Sequence, residues 1–99
     1  MSAPQAGRET SAGHPQTRAR AVHFGLTVRR RRKARGWTQD KLAEAAGWDR
    51  HSIVRIEGAK FSPSLHRLLQ LADALGEPLD VLLADAREEQ ALAEQGGAA

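Results

Sequence analysis

The chain of 99 residues contains no cysteine, so neither a disulfide nor a thiolate zinc site can supplement a small hydrophobic core. Its four histidines, His14, His23, His51 and His66, fall at no spacing typical of a metal site, and no metal is expected. No apolar run approaches the roughly 20 residues needed to cross a bilayer, and the N-terminus lacks the apolar centre of a signal peptide. The sequence reads as that of a cytoplasmic protein. Gly-rich phosphate loops, nucleophile elbows and helical zincin motifs are also missing. Acidic residues sit at helix starts and in the tail, where capping and solubility account for them better than acid–base catalysis does. The sequence therefore predicts neither an enzyme nor a cofactor. Only about 60 residues look able to pack, so stability must come from packing, helped by oligomerisation.

What is present is an uneven distribution of charge. The formal net charge is only +3, but residues 23–36 carry six basic side chains and no acid, whereas residues 77–99 carry six acids and one arginine. A basic N-terminal half with an acidic tail suits an anionic partner met by one face. The plainer reading is a solvated surface.

Nothing alternates or concentrates β-branched residues as a strand does, and the pattern is all-α. Residues 1–20, rich in Gly, Pro, Ser, Thr, Gln and Ala without apolar periodicity, read as disordered. A first helix is predicted over Ala21–Arg35 and ended by Gly36. Thr38 can cap a second helix carrying Leu42, Ala43 and Ala46, which Gly47 stops. Asp49 suits the N-cap of a third helix with Ile53 and Ile56 on one face and Gly58 at its end. Ser62-Pro63 marks the start of a fourth helix with Leu65, Leu68, Leu69, Ala72 and Leu75, closed by Gly76. A short fifth helix spans about Pro78–Ala86. Residues 21–86 thus form one domain, and 87–99 an acidic, mostly flexible tail with little to bury.

The informative stretch runs from Gln39 to Glu57, two short helices joined by a very tight turn. Counting Gln39 as the first position, alanine stands at five, glycine at nine, and isoleucine at fifteen and eighteen. Ala43 must be small because the second helix of the pair crosses close to it. Gly47 can take the left-handed conformation that turns the chain in so few residues. Ile53 and Ile56 fasten the outer helix to the core. The opposite side of that helix offers Arg50, His51, Ser52 and Arg55 beside Val54. Arginine can make two hydrogen bonds to a guanine edge, and a helix N-terminus suits a phosphate, so this face has the chemistry of a major-groove reader. A small bundle in which the same residues only pack is the bland alternative.

Over roughly Phe24 to Ala84 the sequence resembles the Cro/repressor-type helix-turn-helix domains, the XRE family. The resemblance includes Arg32, Gly36, Thr38-Gln39, Leu42-Ala43, Arg55-Ile56-Glu57, and Pro63 followed by Leu68, Ala72 and Leu75-Gly76. It implies a compact five-helix lambda-repressor-like fold and binding of double-stranded DNA. By position it implies base contacts from Arg50, His51 and Arg55, and phosphate contacts from Gln39, Ser52 and, less directly, Lys60. Arg32 and Glu57 match a family pair joining the first helix to the end of the third, a structural ion pair and not a DNA contact.

Three positions depart from the family. Its glycine often falls one place after Gly58, so the loop to Ser62 is expected to take its own path. Arg31 replaces a frequently apolar residue, its stem covering the core while its head reaches water. Trp48 is larger than usual, and burial is favoured over a lean onto the sugar-phosphate backbone.

The run Arg29 to Lys33 looks like a clamp, yet successive helical residues rotate by about 100° and cannot share a face. Only one or two should meet phosphate. Arg18 and Arg20 are candidates for a loose arm reaching DNA. The apolar face of the fifth helix, Leu79 to Leu83, is expected to be shared between the core and a two-fold dimer contact. The implied function is a transcriptional regulator, a repressor on a pseudo-palindromic operator bound as a homodimer. Two alternatives remain: the antitoxin of a toxin–antitoxin pair, with a toxin as protein partner, and an interaction module or coactivator retaining the fold.

Overall fold

The structure, a computed structural model, describes residues 15–98. Five helices occupy them: α1 Pro15–Ala34, α2 Gln39–Ala46, α3 Arg50–Glu57, α4 Leu65–Leu75 and α5 Leu79–Ala98. No strand occurs among the described residues. None of these helices is long and apolar enough to cross a membrane.

The core gathers one face from every helix. Val28 of α1, Leu42 of α2, Ile53 of α3, Leu71 and Leu75 of α4 and Leu82 of α5 are almost wholly shielded from solvent. Losing any of these leucines to alanine should cost about 2–5 kcal/mol, more than any exposed ion pair contributes. Trp48 is buried with them, as favoured.

Caps define the helix-turn-helix. The Thr38 side chain accepts from the Lys41 N–H at 3.1 Å and starts α2. Asp49 Oδ1 accepts from the Ser52 N–H at 3.2 Å and starts α3. Between them Gly47 adopts φ 75°, ψ 26°, and the Trp48 N–H donates to the Ala43 carbonyl at 2.8 Å. A side chain at 47 would be strained in that left-handed conformation, which is why two helices can be joined by so short a turn.

The chain ends differ from the sequence reading. The first helix begins at Pro15, not Ala21, and the fifth continues through Ala98 instead of stopping near Ala86. Each extension supplies what the other lacks. α1 and α5 pack against each other, with Gln16 against Gln90 and Arg31 against Asp85. Gln90 is buried there, its amide donating to Gln16 Oε1 at 3.4 Å and Glu94 Oε2 at 3.1 Å. Composition alone hides such an arrangement, because the groups that hold each segment lie far away in sequence. The expected disorder of residues 1–14 lies outside the described residues.

Two smaller readings also change, and a third gains partners. Ser64, not Ser62, caps α4, its hydroxyl accepting from the Arg67 N–H at 3.2 Å. The side chain of Arg31 keeps 28% of its surface exposed, and its head is also engaged in ion pairs. It donates from Nε to Glu77 Oε2 at 2.6 Å and pairs with Asp85, and the Glu77 hydrogen bond raises its guanidinium above the ordinary value. Arg18 and Arg20 belong to α1 and are not a loose arm, and Arg18 Nη1 donates to the Ala59 carbonyl at 3.0 Å.

Candidate nucleic-acid interface

α3 is fastened to the body by Ile53 and Ile56, while Arg50, His51, Val54 and Arg55 are exposed. Its end is fixed from below by α1. A Cβ built on Gly25 would lie 2.6 Å from the Ile56 carbonyl oxygen and 2.8 Å from that of Glu57. Only glycine lets the two backbones approach so closely. Thr27, two residues further on and also buried, satisfies its hydroxyl by donating to the His23 carbonyl at 3.0 Å.

The same end of α3 is held by charge. Arg32 Nε lies 2.7 Å from Glu57 Oε2, and Arg32 Nη2 lies 3.1 Å from Glu57 Oε1. Arg32 Nη1 donates to the Trp37 carbonyl at 2.8 Å, and the Gln39 amide donates to Glu57 Oε1 at 3.1 Å. The two side chains are 9% and 5% exposed, so the pair is shielded and bidentate, the geometry in which such pairs are strongest.

Beside this pair lies an open cleft of about 680 Å³, lined among others by Arg29, Gln39, Arg50, Val54 and Glu57. It separates the start of α2 from the outer face of α3. Gln39 enters it already engaged with Glu57, leaving its remaining amide N–H and its carbonyl for another partner. Arg50 stands 3.6 Å from Asp40 at a solvent-exposed site, a contact worth little in water and readily exchanged.

The remaining expected contacts lie elsewhere. Ser52 is turned to Asp49, whose carboxyl is held below its ordinary value by hydrogen bonds from the Ser52 side chain and then from its backbone N–H. His51 is exposed. Arg55 leans toward the loop after α3, donating to the Lys60 carbonyl at 3.2 Å with its guanidinium carbon 5.7 Å from the Phe61 ring centre. Lys60 itself is exposed. The loop turns through Ala59, which has φ 58°, while Gly58 has φ −93°. The left-handed residue is thus the one after Gly58, an alanine where the family often has glycine.

The basic run divides by helical face. Arg30 pairs with Glu89, Arg31 with Glu77 and Asp85, and Arg32 with Glu57. Among the described residues, Arg29 and Lys33 meet no carboxylate, and Arg29 reaches the cleft. Sequence reasoning did not single out Arg29, although a signal existed: it precedes Arg32 by three residues and so shares its face. It also overlooked Gly25, Phe61 and Arg67.

A family model described as a helix-turn-helix domain matches residues 23–86. An HTH-type transcriptional regulator of Methanothermobacter thermautotrophicus is 43% identical over 49 residues, covering 50% of this chain and 71% of that protein. The restriction-modification controller protein C.AhdI from Aeromonas hydrophila superposes with a TM-score of 0.61 at 35% identity, over 63% of this chain and 94% of the other. The clp gene regulator ClgR from Corynebacterium glutamicum gives a TM-score of 0.74 at 24% identity over 79% and 83% of the two chains, a likeness of fold. The chain belongs to the helix-turn-helix family and has its five-helix, lambda-repressor-like XRE architecture.

Proposed function

We propose that the protein is a sequence-specific regulator of transcription, a repressor that places α3 in the major groove of double-stranded DNA. The observation that carries this reading is the outer face of α3. Arg50, His51 and Arg55 stand exposed there with Val54, and among the described residues the one ion pair that any of them forms is that of Arg50 with the solvent-exposed Asp40. Arg50, His51 and Arg55 read base edges, and Arg55 leaves the Lys60 carbonyl to do so, a side-chain change common at interfaces. Gln39, Ser52 and Lys60 hold phosphates, joined by Arg29 from the cleft. Binding without catalysis is part of the reading. The regulatory names of its relatives support it.

The operator is pseudo-palindromic and the protein binds it as a homodimer. Within α5, Leu82 and Ala86 are spent on the core, while Val81 and Leu83 are 40% and 47% exposed. Leu65 and Leu69, one turn apart on α4, are 65% and 45% exposed. A two-fold contact over Leu65, Leu69 and one of the two exposed flanks of α5 removes apolar surface from water and sets two recognition helices in successive grooves. Selection of bound sequences from random duplex DNA tests the whole reading. Enrichment of a two-fold motif with half-sites about one helical turn apart is expected, and recovery of no motif refutes sequence-specific binding.

A further inference from the structure

Arg67, in the first turn of α4, pairs with no acid among the described residues. Its guanidinium carbon lies 4.2 Å from the centre of the Trp48 ring and 5.2 Å from that of Phe61. The two rings meet edge to face, with centres 6.0 Å apart and planes at 80°. Trp48 is buried, and its indole N–H approaches Gln70 Oε1 at 3.4 Å. The rings are therefore a fixed platform, and the charge on them is fixed too. The backbone N–H of Arg67 donates to the Ser64 hydroxyl. Among the described residues the five guanidinium donors have no acceptor, yet none is a buried orphan. They reach solvent.

Its position gives this charge a use. Trp48 immediately precedes Asp49, the N-cap of α3. Phe61 follows Lys60 in the loop after α3, and the same ring also carries Arg55, at 5.7 Å. One phenyl ring thus bears two guanidinium groups, one from the recognition helix and one from α4. Neither is neutralised by a carboxylate among the described residues. Two like charges gathered around one ring repel, and an anion between or beside them relieves that repulsion.

We propose that Arg67 is a further phosphate contact, holding the DNA backbone where it passes between the start of α3 and the Lys60 loop, with Trp48 and Phe61 as the positioning residues that aim it. The inference rests on the DNA-binding reading above. Planar guanidinium suits a phosphate through paired N–H donors, and stacking on the rings leaves the edge that carries those donors open. The contact carries no sequence information. It adds affinity and salt dependence alike to every duplex.

The test is binding of the full chain to its selected operator and to a random duplex across a series of salt concentrations. It compares the wild type with Arg67→Met, which keeps an apolar stem on the rings, and with Arg67→Lys, which keeps the charge. Thermal unfolding of each variant reads the packing role separately. Arg67→Met should weaken both duplexes by the same factor and make the slope of log Kd against log salt shallower by about 1, while Arg67→Lys keeps the slope. An unchanged slope in Arg67→Met, with the wild type still binding, overturns the role of Arg67 alone. No duplex binding by the wild type overturns both this proposal and the DNA-binding reading.

Discussion

Arg32 grips both oxygens of Glu57, Nε to Oε2 at 2.7 Å and Nη2 to Oε1 at 3.1 Å, and so ties α1 to the last residue of α3. Both side chains are nearly sealed from water. Removing either partner leaves the other buried and unpaired. Arg32→Ala or Glu57→Ala should therefore destabilise the fold by about 3–5 kcal/mol, whereas replacing both with apolar residues of similar volume should cost much less. Urea unfolding of the two single variants and the double variant checks this. Additive losses would show that the pair is not energetically coupled.

Gly25 and Gly58 give a second contrast. A Cβ at 25 meets two backbone oxygens within 3 Å, and backbone cannot swing aside. At Gly58, where φ is −93°, a Cβ finds its nearest neighbour at 3.4 Å. Gly25→Ala should cost about 1–3 kcal/mol or more by forcing α1 and α3 apart, and should weaken any DNA binding by displacing the recognition helix. Gly58→Ala should be close to neutral or slightly stabilising, since it only restricts the unfolded chain. Thermal midpoints of the two variants decide. Equal effects would mean that contact with Ile56 and Glu57 is not what Gly25 is for.

The pH dependence of folding should contain a contribution from Asp49. Its carboxyl is held below the ordinary value by Ser52. A carboxylate with a lowered value in the folded state stabilises at pH above its unfolded value, and that stabilisation is lost as pH falls through the folded value. Asp49→Asn keeps a side-chain acceptor for the N-cap but cannot titrate. The stability difference between wild type and Asp49→Asn should shrink on acidification. Parallel curves from neutral to acid pH would remove Asp49 as the source.

The middle of the chain was legible because its spacing has single steric meanings. Ala43, Gly47, Ile53 and Ile56 can hardly serve any other packing, and the caps Thr38 and Asp49 stand where the orphan N–H groups of α2 and α3 need them. The ends were not legible. Gln16 and Gln90 are far apart in sequence, each polar, and each becomes structural only when the two helices lie side by side. Gly25 escaped for a related reason: a glycine needed for close approach within a helix looks the same in sequence as a tolerated one. Ala59 shows the reverse case. The loop keeps a left-handed residue after Gly58 even without a glycine there, because Arg18 and Arg55 secure the neighbouring carbonyls of Ala59 and Lys60. The division of the arginine run between ion pairs and free charges depended on α5, whose acids line up only once its full length is known.

That division predicts which arginines act on DNA. Arg29 opens into the cleft beside Gln39 and Arg50, and among the described residues it pairs with no carboxylate. Arg30, the next residue, is turned through about 100° and is paired with Glu89 on α5. Arg29→Ala should weaken binding to operator and random duplex alike and reduce the salt slope by about 1, the signature of one lost phosphate contact. Arg30→Ala should leave both affinity and slope nearly unchanged, since its charge is already countered, and should cost at most about 1 kcal/mol of stability because the pair is partly exposed. Binding of a labelled duplex at several salt concentrations separates the two. If Arg30→Ala lowered the slope as much as Arg29→Ala, the basic run would act through its summed potential, and the face on which each arginine lies would not matter.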